Sequence, residues 1–244
     1  MTQIKAVIFG AIGVVAETAE FHRQAFNAAF KEAGLDWKWS VVAYKELLKT
    51  PDGEERIRSF RDGDASRAAV TDEMIKDLYA AKETSFSDLI GRSKLAPRPG
   101  VKELIDACTA ADVSIAWCSS SRSQHVAALK RVLAKQLPFK DFASIVTADQ
   151  ISAEKPAPDA YLRCLKDLGL TAAEVVAIED TPANVAAAKA AGILTVATPS
   201  DATAGQDFSA ADLVVTSLLS VTLESLQELA DGPRVAAVSG ENAG

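Results

Sequence analysis

Residues 4–13 read Ile-Lys-Ala-Val-Ile-Phe-Gly-Ala-Ile-Gly. The run from Ile4 to Phe9 has the apolar, β-branched character of a buried strand. At its carboxyl end stand Gly10, Ala11, Ile12 and Gly13, none of which can attack an electrophile, ligate a cation through its side chain or exchange a proton.

Working outward, the periodicity changes at once. Glu17 to Gly34 is amphipathic, with Phe21, Ala25, Phe26, Ala29 and Phe30 at helical spacing and Gly34 as the stop. Val41 to Lys49, Glu54 to Phe60 and Asp72 to Ile90 read as further helices, the last opened by Thr71-Asp72-Glu73. Residues 15–93 therefore form an all-helical block. Strand and helix then alternate. Strands are expected at Val113 to Cys118, Ala143 to Val146, Val175 to Ile178, Ile193 to Ala197 and the edge segment Leu213 to Val215. Helices run up to Ala110, then over Ser123 to Ala134, Pro158 to Leu168, Pro182 to Ala191 and Leu223 to Leu229. Short apolar strands alternating with helices imply an α/β fold with a doubly wound parallel sheet covered on both faces. The expected organisation is a core of residues 1–14 and 94–230, an inserted helical cap at 15–93, and a small polar disordered tail at 231–244.

Composition narrows the function classes. The chain has 244 residues and is 48% hydrophobic, enough for a sizeable core. Its net charge of −7 disfavours nucleic acid as a partner. No apolar run approaches the roughly 20 residues of a membrane helix, and the opening residues show no basic-then-apolar leader. Three cysteines, Cys108, Cys118 and Cys164, lack metal or redox spacing. The expectation is a soluble, reduced, cytoplasmic protein.

In an open parallel sheet, ligands sit beyond the carboxyl ends of the strands at the switch point. This chain places Gly10 to Gly13, Ser119-Ser120-Ser121, Lys155-Pro156 and Glu179-Asp180 there. A hydroxyl and a lysine suit phosphoryl oxygens, and two carboxylates suit a divalent cation such as Mg²⁺.

The order of strand-one motif, helical insert, Cys118-Ser119-Ser120-Ser121-Arg122, Glu154-Lys155-Pro156-Ala157-Pro158-Asp159 and Ile178-Glu179-Asp180-Thr181 resembles the haloacid dehalogenase superfamily. Within it the chain is similar to the β-phosphoglucomutase-like group, and most of all to CbbY-type phosphatases of sugar bisphosphates such as xylulose 1,5-bisphosphate. Glu17-Thr18, Phe21-His22-Arg23, Ala25-Phe26-Asn27, Gly34-Leu35-Asp36-Trp37, Glu55-Arg56-Ile57 and Arg98-Pro99-Gly100-Val101 carry that likeness. The resemblance implies phosphate binding by Ser119 and Lys155, and Mg²⁺ held with the help of Glu179 and Asp180. It implies substrate-facing roles for Glu17, His22, Arg56 and Lys82, and a phosphorylated small molecule as ligand. Gly192 keeps the family's turn.

The departures fall where the chemistry is. The resemblance puts the nucleophilic aspartate at Gly10 and the general acid/base aspartate at Ile12. Glycine cannot attack phosphorus and isoleucine cannot protonate a leaving oxygen. Asp52-Gly53-Glu54-Glu55-Arg56 stands where relatives carry Gly-Gly-Lys-Glu-Arg, so Glu54 brings negative charge to a place where a second phosphate would be clamped. Asn184 replaces a usual glycine, a milder change because Asn tolerates left-handed geometry.

Three functional readings follow. The first is a catalytically inactive homologue that retains an anion pocket or, alternatively, one whose Lys155 simply forms a buried ion pair with Asp180. The second is a weak or altered Mg²⁺-dependent sugar-phosphate phosphatase. The third takes Gly10 to Gly13 as a dinucleotide-binding turn, but the middle glycine is missing and no acid-ended second strand follows. The protein partner, if one exists, is not named by any motif. Trp37, Trp39 and the Phe21-Phe26-Phe30 series read as packing, His125 as surface or helix packing, and Cys118 as core.

Overall fold

A computed structural model describes residues 3–10, 12–50, 52–119 and 121–232. Ala11 of the strand-one turn, Ser120 of the serine run and the tail beyond 232 lie outside the described residues. Strand β1 (Ala6–Phe9) is buried along its whole length. A single turn, α1 (Ile12–Val15), follows, and then four helices: α2 (Ala19–Glu32), α3 (Val41–Leu47), α4 (Gly53–Asp62) and α5 (Asp72–Gly91). The remainder alternates as α6 (Val101–Ala110), β2 (Ser114–Cys118), α7 (Ser123–Leu133), β3 (Ser144–Val146), α8 (Asp159–Leu168), β4 (Val175–Glu179), α9 (Pro182–Ala190), β5 (Leu194–Ala197), β6 (Leu213–Val214) and α10 (Leu223–Asp231). Every expected element is present, with ends displaced by a few residues. The exception is α1, where Ile12, Val14 and Val15 turn inward and coil the chain just past β1. Asp231, expected to open the tail, closes α10 instead.

The six strands form one sheet in the order β3-β2-β1-β4-β5-β6. All pairs are parallel, and Phe9 lies opposite Trp117 on one side and Ile178 on the other. The chain leaves β1 toward β2, then returns to β4 on the other flank, so the switch point falls between the carboxyl ends of β1 and β4. Side chains alternate between the faces, as a period of two requires. Val7, Phe9, Ile115, Trp117, Val176 and Ile178 enter a large core with α6, α7 and α10. Ala6, Ile8, Ala116 and Ala177 make the other face shallow, so α8 and α9 approach closely and Tyr161 and Cys164 fill the space.

Helices α2 to α5 share a separate core of Phe26, Phe30, Trp39, Tyr44, Ile57 and Ile75. Trp37 packs edge-on against Phe30 and Phe60, which bears out its reading as packing. Capping explains the helix starts: Ser40, Asp52 and Thr71 each accept a backbone N–H at the opening of α3, α4 and α5. No helix among the described residues is long and apolar enough to cross a membrane.

Gly100 opens α6 at φ 89°, and a Cβ there would collide with the Leu218 and Leu219 backbone. Both the left-handed backbone and the contact demand glycine. Gly100→Ala is expected to lower unfolding free energy by about 2–4 kcal/mol. Urea unfolding would register this as a reduced midpoint at unchanged slope.

Candidate functional site

Four segments meet at the β1/β4 switch point. Gly10 ends β1, with its N–H donating to Ile178 O at 2.8 Å. Glu179 and Asp180 end β4, Ser119 follows β2, and Lys155 comes from the loop between β3 and α8. The absence of a side chain at position 10 decides what happens next. A Cβ built on Gly10 would fall onto the Glu179 carboxylate, and one on Gly13 would fall onto that of Asp180. The two acids occupy the volume that larger residues on the strand-one turn would claim.

Lys155 Nζ donates to Glu179 Oε1 at 2.6 Å and to Cys118 O at 3.2 Å, with the Tyr161 hydroxyl at 3.3 Å. Tyr161 in turn donates to Glu179 Oε1. Lysine, glutamate and tyrosine are all buried, so their charges and donors are satisfied by one another. The expected Lys155–Asp180 pair is corrected to Lys155–Glu179. The longer acid reaches back through the space left by Gly10, while Asp180 accepts from Asn184 Nδ2 at 3.1 Å. Asn184 thus acts through its amide within α9; among the described residues only Asp112 is a non-glycine with positive φ. Burial alone would depress the Lys155 ammonium, but the Glu179 carboxylate reverses this and holds it protonated. Burial, reinforced by Glu179, pushes the Tyr161 hydroxyl well up, so it remains a donor. Burial also pushes the Cys118 thiol up to about 12, which makes it the inert core residue expected.

Ser119 is fully buried, and its Oγ accepts the Ser121 N–H at 3.1 Å. Arg98 holds the turn in place: it donates to Gly13 O at 2.8 Å, Thr198 O at 2.9 Å and Pro199 O at 2.9 Å, tying the end of β1 to the loop after β5.

Above the strand ends lies a cleft of about 1080 Å³ between the sheet and α2–α5. Ile12, Glu17, His22, Arg56, Lys82, Lys155 and Asp180 all line it, whereas Gly10, Ser119 and Glu179 lie outside that lining. Glu17 is exposed and accepts the Ala19 N–H at 3.1 Å. Arg56 Nε donates to Thr50 O at 2.6 Å. The His22 ring stacks on Phe86 with centroids 3.8 Å apart, and burial, then Lys82, His125 and Arg56, keep it neutral. Lys82 is buried among Phe26, Tyr79 and Phe86 and pairs with Glu83 at 2.7 Å. Glu83 also meets His125 Nε2 at 3.0 Å. Of the two readings, surface or helix packing, His125 takes the second: it is 2% exposed and links α7 to Glu83 of α5.

Sequence reasoning missed Tyr161, Glu83 and the contact of His125 with Glu83, in which burial disfavours charge on the imidazole. Tyr161 sits in the Ala160-Tyr161-Cys164-Leu165 stripe of α8, a pattern that announces packing and says nothing of where the hydroxyl points.

The donor set does not fit Mg²⁺. Position 10 offers no carboxylate, Glu179 Oε1 already accepts from Lys155 and Tyr161, and Asp180 is engaged by Asn184. Among the described residues no group of three or more histidine, cysteine, aspartate or glutamate side chains is placed to hold an ion. Magnesium requires near-octahedral oxygen donors.

Burial and then Glu179 push the Asp180 carboxyl up to about 7. A carboxyl raised in the folded state binds more protons folded than unfolded between its ordinary value and 7. Its contribution to stability is complete at low pH and is lost as pH rises through 7. Relative to Asp180→Asn, the unaltered chain should lose at most about 1.4 kcal/mol per pH unit across that window. Equilibrium unfolding of both proteins at pH 4.5, 5.5 and 6.5 checks this; parallel curves would reject it.

A family model described as haloacid dehalogenase-like hydrolase matches residues 4–192. Protein CbbY of Rhodobacter capsulatus is 40% identical over 227 residues, covering 93% of this chain and 99% of that protein. CbbY from Rhodobacter sphaeroides, solved in complex with phosphate, superposes with a TM-score of 0.81 at 31% identity, covering 92% of this chain and all of that one. A mutant of the same protein in complex with xylulose-(1,5)bisphosphate gives a TM-score of 0.82 at 32% identity, covering 92% of this chain and 99% of that one.

Proposed function

The chain belongs to the haloacid dehalogenase-like hydrolase family, and within it we propose a CbbY-type homologue that has lost phosphate-ester hydrolysis while keeping the cleft for a phosphorylated small molecule. One observation carries the reading. Where a nucleophile would stand, Gly10 leaves space, and the Glu179 carboxylate fills it, closed on Lys155 and Tyr161.

Magnitudes support inactivity. A positioned acid/base group contributes about 10²–10⁴-fold, and loss of the nucleophile removes the covalent route altogether. Glu17 is the nearest spare carboxylate in the sequence, but its Oε1 caps the start of α2. Asp180 is held by Asn184. The residues with which the family's chemistry would proceed are present only in part, and the strand-end lysine has its charge answered internally.

Helices α2 to α5 act here as the cap that the sequence led us to expect at 15–93, with Arg56, Lys82 and His22 facing the ligand. Carboxylates outnumber cations along the cleft, and Asp52 with Glu54 raises the Glu154 carboxyl beyond what burial alone does. That crowding disfavours a second phosphate. The ligand is therefore more weakly held, and less charged, than a sugar bisphosphate.

Phosphate release from xylulose 1,5-bisphosphate and from sugar monophosphates in Mg²⁺ should match the protein-free rate. Mg²⁺-dependent turnover that Lys155→Ala or Asp180→Ala abolishes would overturn the proposal in favour of a working phosphatase. Calorimetric titration with a sugar monophosphate tests the binding half. Arg56→Ala should weaken binding by roughly tenfold, as loss of a charge-assisted contact does. Absence of any heat with the unaltered chain would leave a fold without its ligand.

A further inference from the structure

A second concavity, of about 430 Å³, lies away from the cleft at the end of α7. Its floor is Leu137, Pro138 and Phe139, and its rim carries Lys130, Arg131 and Lys140. The floor is rigid: Phe139 is stacked on Trp117 at 5.6 Å and packed on Phe142 at 5.4 Å, so it is part of the main core. The rim is open, since Arg131 and Lys140 are exposed. None of the three rim cations has an ion pair or side-chain hydrogen bond among the described residues. Residues 113–140 hold no carboxylate, and the exposed Asp141 beside Lys140 answers only one of the three rim charges, in a chain whose net charge is −7.

Compensation of the α7 dipole accounts for cations in its last turn, where Lys130 and Arg131 lie. It does not account for Lys140, which sits in the 3-10 turn Phe139–Asp141, or for an apolar floor between the charges. Binding sites join an apolar surface to a few placed charges.

We propose that this groove is a docking site for a short acidic polypeptide segment that places an apolar side chain on Pro138 and the edge of Phe139 and carboxylates on Lys130, Arg131 and Lys140. Charge complementarity selects that occupant. A nucleic acid or an anionic membrane presents an extended negative field to the whole acidic molecule. A short segment is felt only within a screening length of about 8 Å, where the local charge is positive. The groove is open along its rim, which suits an extended chain better than a small molecule that must be enclosed. This inference is independent of the cleft and of any activity there.

Fluorescence polarisation with a fluorescein-labelled glutamate peptide containing one central leucine tests it on the full chain. Binding should weaken at least tenfold in the doubly charge-reversed Arg131→Glu/Lys140→Glu variant and decline steadily with added NaCl. Replacing the leucine by serine should cost a further several-fold. Both substitutions lie on the exposed rim, so an unchanged unfolding midpoint certifies the variant's fold. Absence of binding, binding indifferent to the charge reversal, or tighter binding of single-stranded DNA or of phosphatidylserine vesicles would each overturn the proposal.

Discussion

The buried Lys155–Glu179 ion pair is the contact on which the rest of this site depends. A lysine and a glutamate taken out of water are tolerated only if each finds a close partner and their remaining donors and acceptors are filled. Cys118 O and the Tyr161 hydroxyl supply those further contacts. The arrangement exists because Gly10 has no Cβ: any larger residue at that point would meet the Glu179 carboxylate. Breaking the pair from one side alone leaves an uncompensated buried charge, which typically costs about 3–5 kcal/mol. The network therefore acts as structure whether or not any ligand comes.

The cleft above it shows the same balance of charge. Lys82 is answered by Glu83, and Glu83 by His125. Lys82 and Lys155 are already paired with carboxylates, and Asp52 and Glu54 bring further negative charge to Glu154 across the cleft.

Much of this was legible in the amino-acid order. The α/β alternation, the helical insert and even most element ends follow from periodicity, because two-faced strands and amphipathic helices leave patterns that survive in one dimension. Gly10 and Ile12 stood out as residues without acid chemistry, and Lys155, Asp180, Arg56 and His22 do converge on one cleft. What could not be read was who pairs with whom. Glu179 and Asp180 are adjacent in sequence, and only the volume freed by Gly10 decides that the longer one takes Lys155. Tyr161 and His125 belong to apolar stripes, so their polar ends were invisible. Asn184 read as a replacement for glycine's backbone freedom, whereas its amide serves Asp180.

The most direct test compares the unaltered chain with a Gly10→Asp/Ile12→Asp variant, measuring phosphate release from xylulose 1,5-bisphosphate and a sugar monophosphate with and without Mg²⁺. A Cβ at position 10 meets only the carboxylate end of Glu179, whereas Ile12 is buried in the core, so the variant's unfolding midpoint is measured beside its turnover. Turnover by the repaired variant alone is the predicted result and places the loss of activity at the end of β1. Mg²⁺-dependent turnover by the unaltered chain would contradict the account, because another carboxylate would then be performing the attack.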